Sequence, residues 1–359
     1  MLIATIVGNR PQFVKAAGVS RLLRECAEEV LIHTGQHYDD ELSRVFFEEL
    51  GVPAPDVELG RPEGDNSAQT AAMLAALAPR LGAIAPDLVV VYGDTNSTLA
   101  GVLAAAQADL PVAHVEAGLR SYDRAMPEEL NRVLTDHAAD LLLCPTAAAM
   151  ANLEREGLAD RAHLVGDVMA DVSLAFASIA QERSDVLERL GLSEDAFLLA
   201  TAHRAGNVDD PERLERLVAL LEGLPDTTVV ALHPRTAARL HSSGLRARLD
   251  AAPHLRVTGP LGYLDFLVLA HAARAVLTDS GGVQKEAYLL GTRCLTLRDS
   301  TEWVETVQAG WNRLVDLDRE VTLAALAAPP PAGERPDLYG GGHAGERIRD
   351  LLYAYTGPA

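Results

Sequence analysis

The chain has 359 residues, 48% hydrophobic and 23% charged, which is typical of a soluble globular protein with two domains of similar size. Its formal net charge of −20 disfavours nucleic acid and anionic membranes as partners, because both are bound through extended basic surface. Cys26, Cys144 and Cys294 are too few and too far apart for a disulfide framework or a zinc site, and no apolar run approaches the roughly 18 residues of a membrane span.

Apolar, β-rich runs alternate with amphipathic helical patterns from the start of the chain. The first half contains the runs MLIATIV, EVLIHTG, DLVVVYGD, PVAHVEA and DLLLCPT, separated by helical patterns such as AAGVSRLLRECAEE and STLAGVLAAAQAD. This alternation predicts βαβ units, that is, parallel sheets with helices on both faces. The first run lacks the basic lead of a secretory signal, so we expect it to be a strand and the protein to be cytoplasmic.

Strand signals pause between residues 162 and 197, and then a second series begins. It contains AFLLATAH, TTVVALHP, HLRVTGP, AVLTDSGG and RCLTLR. A Pro- and Gly-rich stretch follows, and after it the helical pattern AGERIRDLLYAY, which could pack on either half. The two clusters of strands predict an α/β fold with two doubly wound domains that face a central cleft.

Carboxylates follow two consecutive apolar runs of the first half. Asp94 comes directly after one run, and His114 and Glu116 end the next. In open parallel sheets ligands bind beyond the carboxyl ends of the strands. If these strands are neighbours, Asp94 and Glu116 therefore share one crevice.

A third carboxylate lies at the start of the next helical pattern. Pro127 suits the first turn of a helix, whose positive end favours Glu128 and Glu129. The alternative for Glu128 is a surface ion pair with Arg132, four residues later on the same helical face.

A glycine pair marks a possible phosphate site in the second half. Ser280, Gly281 and Gly282 follow a strand and precede a helical pattern, an arrangement in which backbone N–H groups can approach a phosphate. A tight turn without a ligand explains the glycines equally well, since neither G-x-G-x-x-G nor a Walker loop is present. Glu286, one turn into the helix, could reach ribose hydroxyls if a nucleotide bound there.

Other polar or aromatic residues also follow predicted strands. An anion-binding or proton-transfer role is favoured for the adjacent pair of His203 and Arg204, and a structural role for His233. Phe266 could stack on a base or pack in the core. The turn after the first strand adds Gly8, Arg10 and Lys15.

Ten motifs occur in a fixed order: GNRPQFVKAA, TGQHYD, GDTNST, HVEAGLRS, MPEELNR, TAHRAGN, LHPR, DSGGVQKEA, TEWVET and YGGGHA. Together, from about residue 3 to residue 356, they resemble the non-hydrolysing UDP-N-acetylglucosamine 2-epimerase family. The resemblance implies two Rossmann-like domains of the glycosyltransferase-B type, UDP in the cleft, no metal or other cofactor, and a homodimer. It also implies an N-terminal domain (1–167) that binds the sugar and is joined by the final helix (343–359), and a UDP-binding domain (168–342).

The resemblance assigns roles by matching motif. Asp94, Glu116, Glu128 and His203 fall on catalytic positions. The residues on or beside nucleotide-sugar contacts are Arg10, Lys15, Arg132, Phe266, Ser280, Gly281, Gly282 and Glu286, and Arg204 joins them as an anion-binding candidate. The sequence departs from the family pattern at Asn9 and Gln12, at Ala205 and Gly206, and at Asp39 and Ala68 near Gln36 and His37, where some bacterial members bind an activating second nucleotide sugar.

The implied reaction is reversible epimerisation at C2 of UDP-N-acetylglucosamine to UDP-N-acetylmannosamine. Loss of UDP and the C2 proton would give a 2-acetamidoglucal, and UDP would return after protonation from the opposite face. This requires proton-transfer groups on two sides of the ring and donors for the diphosphate. The alternatives are an epimerase of a related sugar such as a diacetamido-uronic acid, a glycosyltransferase of the same build, a hydrolysing epimerase and a silent nucleotide-sugar sensor.

Overall fold

The chain divides into two compact units, Met1–Val172 with Asp337–Ala359, and Ser173–Pro336. The structure is a computed structural model that describes residues 1–36, 54–124, 126–329, 331 and 333–355. Both units are parallel sheets with helices, so the predicted α/β class is confirmed. The predicted boundary at 167/168 lies at the start of a helix, Val168–Arg183, whereas the units divide within that helix.

The first unit contains a seven-stranded parallel sheet with the order β3-β2-β1-β4-β5-β6-β7. Its strands are β1 (Leu2–Val7), β2 (Glu28–His33), β3 (Val57–Glu58), β4 (Leu88–Tyr92), β5 (Val112–Val115), β6 (Leu141–Cys144) and β7 (Ala162–Leu164). The strand order reverses between β1 and β4, the switch point at which open α/β sheets bind ligands. β4 and β5 are neighbours, and their pairing ends at Tyr92 and Val115, immediately before the turns that carry Asp94 and Glu116.

Both faces of this sheet are buried, which explains the continuous apolar runs. Val90 and Leu143 join one hydrophobic cluster, and Val91 and Leu142 join another. The helices are α1 (Arg10–Leu23), α2 (Asn66–Ile84), α3 (Asn96–Ala106), α4 (Pro127–Ala138), α5 (Ala147–Arg155) and α6 (Val168–Arg183), which continues into the second unit.

The second unit contains a six-stranded parallel sheet with the order β10-β9-β8-β11-β12-β13. Its strands are β8 (Leu198–Thr201), β9 (Thr228–Ala231), β10 (Leu255–Thr258), β11 (Ala275–Thr278), β12 (Cys294–Thr296) and β13 (Asn312–Leu314). Its helices are α7 (Val186–Leu190), α8 (Ala205–Val208), α9 (Pro211–Glu222), α10 (Pro234–Ser242), α11 (Arg246–Ala251), α12 (Tyr263–Ala272), α13 (Gly281–Leu290), α14 (Val304–Gln308) and α15 (Arg319–Ala327). The order reverses between β8 and β11, so the turns with His203 and Ser280 follow adjacent strands.

The last helix, α16 (Ala344–Ala354), packs in the first unit. Its buried Ile348 and Leu352 join the hydrophobic cluster beneath α1. Asp171 accepts hydrogen bonds from the first N–H groups of the helix, those of Ala344 at 3.1 Å and Gly345 at 2.7 Å. In the described parts of the chain, no helix has both the length and the apolar character to cross a bilayer.

Candidate functional site

Polar residues gather at the carboxyl edge of each sheet. In the first unit, the carboxylate cluster consists of Lys15, Asp94, Glu116, Glu129 and Arg132. In the second unit, the glycine turn consists of Ser280, Gly281 and Gly282, and lies beside the turn that carries His203 and Arg204.

Glu116 and Lys15 form an ion pair at the end of β5. Nζ of Lys15 contacts Oε2 of Glu116, and only 13% and 11% of the two side chains are exposed. Burial opposes the charge on Lys15, but the nearby carboxylates of Glu116, Asp94 and Asp167 outweigh it and raise the pKa of Lys15. The ammonium group therefore stays charged at neutral pH.

The backbone at this point is strained. Glu116 has a φ of 73°, in the left-handed region that disfavours side chains with a Cβ. Gly93, with a φ of 64°, lies against the ion pair: a Cβ added there would be 3.1 Å from Nζ of Lys15 and 3.2 Å from Oε2 of Glu116. The absence of a side chain at Gly93 thus gives the ion pair its space.

Arg132 on α4 holds two carboxylates at once. Its Nε and Nη2 donate to Oδ2 of Asp94 at 3.0 and 2.6 Å, and Nη1 donates to Oε2 of Glu129 at 3.1 Å. Burial opposes the guanidinium charge, but Asp94 and Glu129 outweigh it and raise the pKa of Arg132. Asp94 is therefore a fixed carboxylate.

Glu129 was not among the predicted site residues, yet it is the buried member of the pair at the start of α4. Besides Arg132, it accepts hydrogen bonds from the N–H groups of Ser121 and Tyr122, at 2.8 and 2.9 Å, and from the Ser121 hydroxyl at 2.9 Å. Burial opposes its charge, but these four donors lower the pKa of Glu129. Glu129 thus connects the loop after β5 to Arg132 and Asp94.

Glu128 lies apart from this network. Its side chain is exposed at the start of α4, and it has no hydrogen bond or ion pair with another residue that the structure describes. The spacing of four residues allowed an alternative in which Glu128 forms an ion pair with Arg132. That alternative is wrong, because the guanidinium of Arg132 binds Asp94 and Glu129 instead.

His114 begins a chain of polar side chains behind the carboxylate cluster. Its Nε2 lies 2.7 Å from the carbonyl oxygen of Gly93, and its Nδ1 lies 2.7 Å from Oδ1 of Asp136. Asp136 in turn accepts from Arg120 at 2.7 Å, and Arg120 donates two hydrogen bonds to Glu156, at 2.8 and 2.7 Å. Many of the ionisable residues after β5 therefore have a structural role, which is to hold the carbonyl group of Gly93 in place.

The turn after β1 is also fixed by hydrogen bonds. Gln12 accepts from the N–H of Gly8 at 2.7 Å and donates to the carbonyl of Tyr92 at 2.6 Å. A carboxylate could not make the second bond, so glutamine suits this position. Arg10 is the first residue of α1. Gln36 accepts two hydrogen bonds from Ser97, whereas His37 and Asp39 lie outside the described residues.

In the second unit, Asp279 joins the turns after β8 and β11. This fully buried carboxylate accepts from the N–H groups of His203 and Arg204 and from the side chain of Asn207, each at 3.0 Å. It therefore holds His203 and Arg204 beside the glycine turn.

His203 is an imidazole in a partly buried, positively charged setting. Burial lowers its pKa, the carboxylate of Asp279 opposes this, and His233, Arg204 and Arg235 lower the pKa further. His203 is therefore neutral at pH 7. The His233 ring, 5.1 Å from that of His203, caps α10 by accepting the N–H of Arg235 at 3.2 Å, so its role in the structure is that of a helix cap.

The two glycines of the glycine turn have different surroundings. A Cβ on Gly281 would overlap Oε1 of Glu302 and lie 3.2 Å from Nε1 of Trp303. A Cβ on Gly282 would meet only Oγ of Ser280, at 3.9 Å. Close packing inside the protein thus accounts for Gly281, whereas open space adjoins Gly282.

Glu286 is a partly buried carboxyl group on α13. Burial raises its pKa to about 7, although the Tyr263 hydroxyl, which donates to it at 3.0 Å, and Lys285 act in the opposite direction. Phe266, on the same helix as Tyr263, is half-buried. Across the described residues, no group of three His, Cys, Asp or Glu side chains is arranged to hold a metal ion.

Comparison with known proteins gives a consistent result. A profile of the family UDP-N-acetylglucosamine 2-epimerase matches residues 22–353. The chain is 45% identical to a UDP-N-acetylglucosamine 2-epimerase homolog of Methanococcus maripaludis and 44% identical to a UDP-2,3-diacetamido-2,3-dideoxy-D-glucuronate 2-epimerase of Pseudomonas aeruginosa, each over 98% of this chain and 99% of the relative. It also resembles the crystal structure of the Methanocaldococcus jannaschii UDP-GlcNAc 2-epimerase in complex with UDP-GlcNAc and UDP, with a TM-score of 0.84 and 40% identity over 98% of this chain and 99% of that one.

Proposed function

The chain belongs to the UDP-N-acetylglucosamine 2-epimerase family, an isomerase family, and on that basis we propose that it interconverts UDP-N-acetylglucosamine and UDP-N-acetylmannosamine. The single observation that supports this most is the carboxylate cluster. Two carboxylates from the ends of neighbouring strands, Asp94 and Glu116, are each held by a cation, and both are close enough to Lys15 to act on its charge. Positioned carboxylates of this kind can act as acid–base groups at a sugar carbon.

In the first step, the pair of Glu116 and Asp94 removes the proton from C2. The C2–H electrons form the C1=C2 bond, and the C1–O bond breaks with its electrons going to the oxygen of UDP. The products are 2-acetamidoglucal and UDP. Lys15 holds Glu116 in place through their ion pair, and Arg132 does the same for Asp94, so neither carboxylate must move to react.

In the second step, a proton is delivered to C2 from the opposite face, and the UDP oxygen attacks C1. Glu128 is the candidate donor, since its side chain is exposed and has no hydrogen bond or ion pair to break among the residues that the structure describes. With the opposite configuration at C2, the product is the manno isomer. Because the route removes and returns a proton and UDP without transferring a hydride, the reaction needs no redox cofactor.

UDP is held by the second unit in this proposal. The backbone N–H groups at the start of α13 would receive the diphosphate, with open space beside Gly282 to admit it. Glu286 would accept the ribose hydroxyls, Phe266 would stack on the base, and His203 and Arg204 would donate to the diphosphate. By its place in the family motif, Arg10 is a further candidate contact of the nucleotide sugar.

One incubation tests the reaction itself. Purified protein is mixed with UDP-N-acetylglucosamine and no acceptor, and the mixture is followed by proton NMR. We expect the manno isomer to appear with UDP still attached. Release of UDP and free N-acetylmannosamine would identify a hydrolysing epimerase, and an unchanged substrate would exclude epimerisation of this sugar.

The diacetamido-glucuronate is the second candidate substrate, because a relative named for that activity is 44% identical over nearly the whole chain. The same incubation with this sugar nucleotide compares the two. The substrate with the higher kcat/KM is the one for which the site is built.

We further propose that the protein is a cytoplasmic homodimer. Light scattering of the purified protein should then give twice the mass of one chain.

A further inference from the structure

Glu302 lies in the TEWVET motif, which takes no part in the proposed reaction. It follows β12 and lies against Gly281, the first residue of the ten-residue helix α13. In a helix the Cα–Cβ bond points towards the N-terminus. Since a Cβ on Gly281 would overlap Oε1 of Glu302, the carboxylate of Glu302 lies at the N-terminal, positive end of α13.

The same carboxylate joins two arginines. Oε1 accepts from Nη2 of Arg204 at 2.9 Å, and Oε2 accepts from Nη1 of Arg298 at 2.8 Å. Burial opposes the charge on Glu302, but its own backbone N–H and the two guanidinium groups lower its pKa. The carboxylate of Glu302 is therefore an anion that contacts two arginines and the N-terminus of a helix. A bound phosphate would make the same three contacts.

These arginines remain accessible to a ligand. Arg204 and Arg298 line a pocket of about 410 Å³ together with Gly206, Asn207, Arg213, Asp299 and Asp316. About two fifths of the Arg204 and Glu302 side chains is exposed, at 43% and 41%. An ion pair this exposed contributes little binding energy, so Arg204 can readily leave Glu302 for another anion.

We infer that Glu302 is an internal counter-ion of the diphosphate site, pairing with Arg204 and Arg298 until the diphosphate of UDP takes over Arg204. The inference rests on the proposed binding of UDP at the glycine turn. A diphosphate carries more charge than a carboxylate and also binds backbone N–H groups, so it displaces the weaker anion. Glu302 therefore orients Arg204 in the empty site and competes with UDP for it.

The deciding variant is Glu302→Gln. Its amide oxygen can still accept from Arg204, so the guanidinium stays oriented, but the competing charge is gone. We expect the Kd for UDP, measured by isothermal titration calorimetry, to fall about two- to tenfold, the range that the loss of one exposed ion pair allows. The matched control is Glu215→Gln, which removes the same charge from an exposed pair with Arg248 in the same unit and should leave the Kd unchanged.

A second pair of variants tests the location of the carboxylate. Gly281→Ala should lower the melting temperature because its Cβ would overlap the carboxylate of Glu302, and addition of Glu302→Ala should restore the melting temperature at least in part. If wild type binds UDP but Glu302→Gln binds it equally or more weakly, the counter-ion role is overturned while the proposed function stands. If wild type itself does not bind UDP, the proposed function fails, and this inference fails with it.

Discussion

Two donors of the Arg132 guanidinium converge on one oxygen of Asp94, Nε at 3.0 Å and Nη2 at 2.6 Å from Oδ2. Within the residues that the structure describes, no hydrogen bond reaches Oδ1 of Asp94. The carboxylate is therefore fixed through one oxygen, and the proposed mechanism assigns the other oxygen to the sugar. Because Nη1 also donates to Glu129, a single side chain sets the position of Asp94 relative to the loop after β5.

Arg132→Lys should impair catalysis more than folding. A lysine is a point charge and cannot hold Asp94 and Glu129 at the same time. We expect kcat/KM for epimerisation to fall by roughly 10- to 100-fold, the effect of misplacing a reacting group by about 1 Å. Steady-state kinetics and a thermal melt measure the two effects, and a variant with wild-type kinetics would show that Arg132 does not position Asp94.

Gly93→Ala should disturb the ion pair of Lys15 and Glu116. The left-handed backbone at this residue costs a Cβ about 1–2 kcal/mol, and the methyl group would also press on Nζ and Oε2. We expect lower stability in urea denaturation and at least about a tenfold loss of kcat.

Gly82→Ala is the control for that variant. Gly82 lies inside α2 with open space where its Cβ would be, so alanine should stabilise the protein by about 0.5–1 kcal/mol and leave kcat unchanged. If Gly93→Ala behaved like Gly82→Ala, the proposed crowding at the ion pair would be disproved.

Asp279→Asn should destabilise the second unit. The amide would offer one acceptor oxygen instead of two to the three N–H donors that now share a buried carboxylate, and its NH2 group would face at least one of these donors. A loss of about 2–4 kcal/mol is expected in urea denaturation, because charged hydrogen bonds are lost and buried donors remain unsatisfied. Asp250→Asn, in an exposed pair with Arg246, should change stability little.

Glu286 should make stability depend on pH. Its folded pKa of about 7 is above the ordinary value of 4.5, so the folded state binds more protons than the unfolded state between those values. The contribution of Glu286 to the free energy of unfolding is therefore largest below pH 4.5 and is lost as pH rises towards 7. Glu286→Gln should remove this slope, and a slope equal to that of wild type would assign it to another group.

UDP binding should release protons if ribose hydroxyls donate to ionised Glu286. Near pH 6.5 a substantial fraction of Glu286 is protonated, and a ligand that binds the carboxylate form must displace that proton. Calorimetry in two buffers of different ionisation enthalpy measures the release. Equal heats in both buffers would exclude Glu286 as the ribose acceptor.

The sequence was sufficient to predict the sheets and the strand-end position of the carboxylates. Alternation of apolar runs with helical patterns identified βαβ units, and such units carry polar residues at one edge. Asp94 and Glu116 thus follow β4 and β5, which are neighbours. The order of strands, which puts β1 beside β4, has no local signal.

Contacts between segments far apart in the chain could not be predicted from the sequence. Spacing of four residues paired Glu128 with Arg132, but the arginine binds Asp94, 38 residues away, and Glu129. Nothing near Gly281 in the sequence indicates that Glu302 fills the space beside it. The sequence pointed to Glu129 only through the two adjacent acidic residues at the start of α4. In a helix such a pair places one carboxylate towards the protein and the other towards solvent.

Solvent exchange at C2 tests the central claim most directly. Wild type and Glu116→Gln are incubated with UDP-N-acetylglucosamine in heavy water, and deuterium at C2 is followed by proton NMR, with UDP binding and thermal melting as checks that the variant is folded. We expect rapid incorporation by wild type and none by Glu116→Gln with UDP affinity preserved. Incorporation by Glu116→Gln at the wild-type rate would contradict the assignment of proton transfer to Glu116.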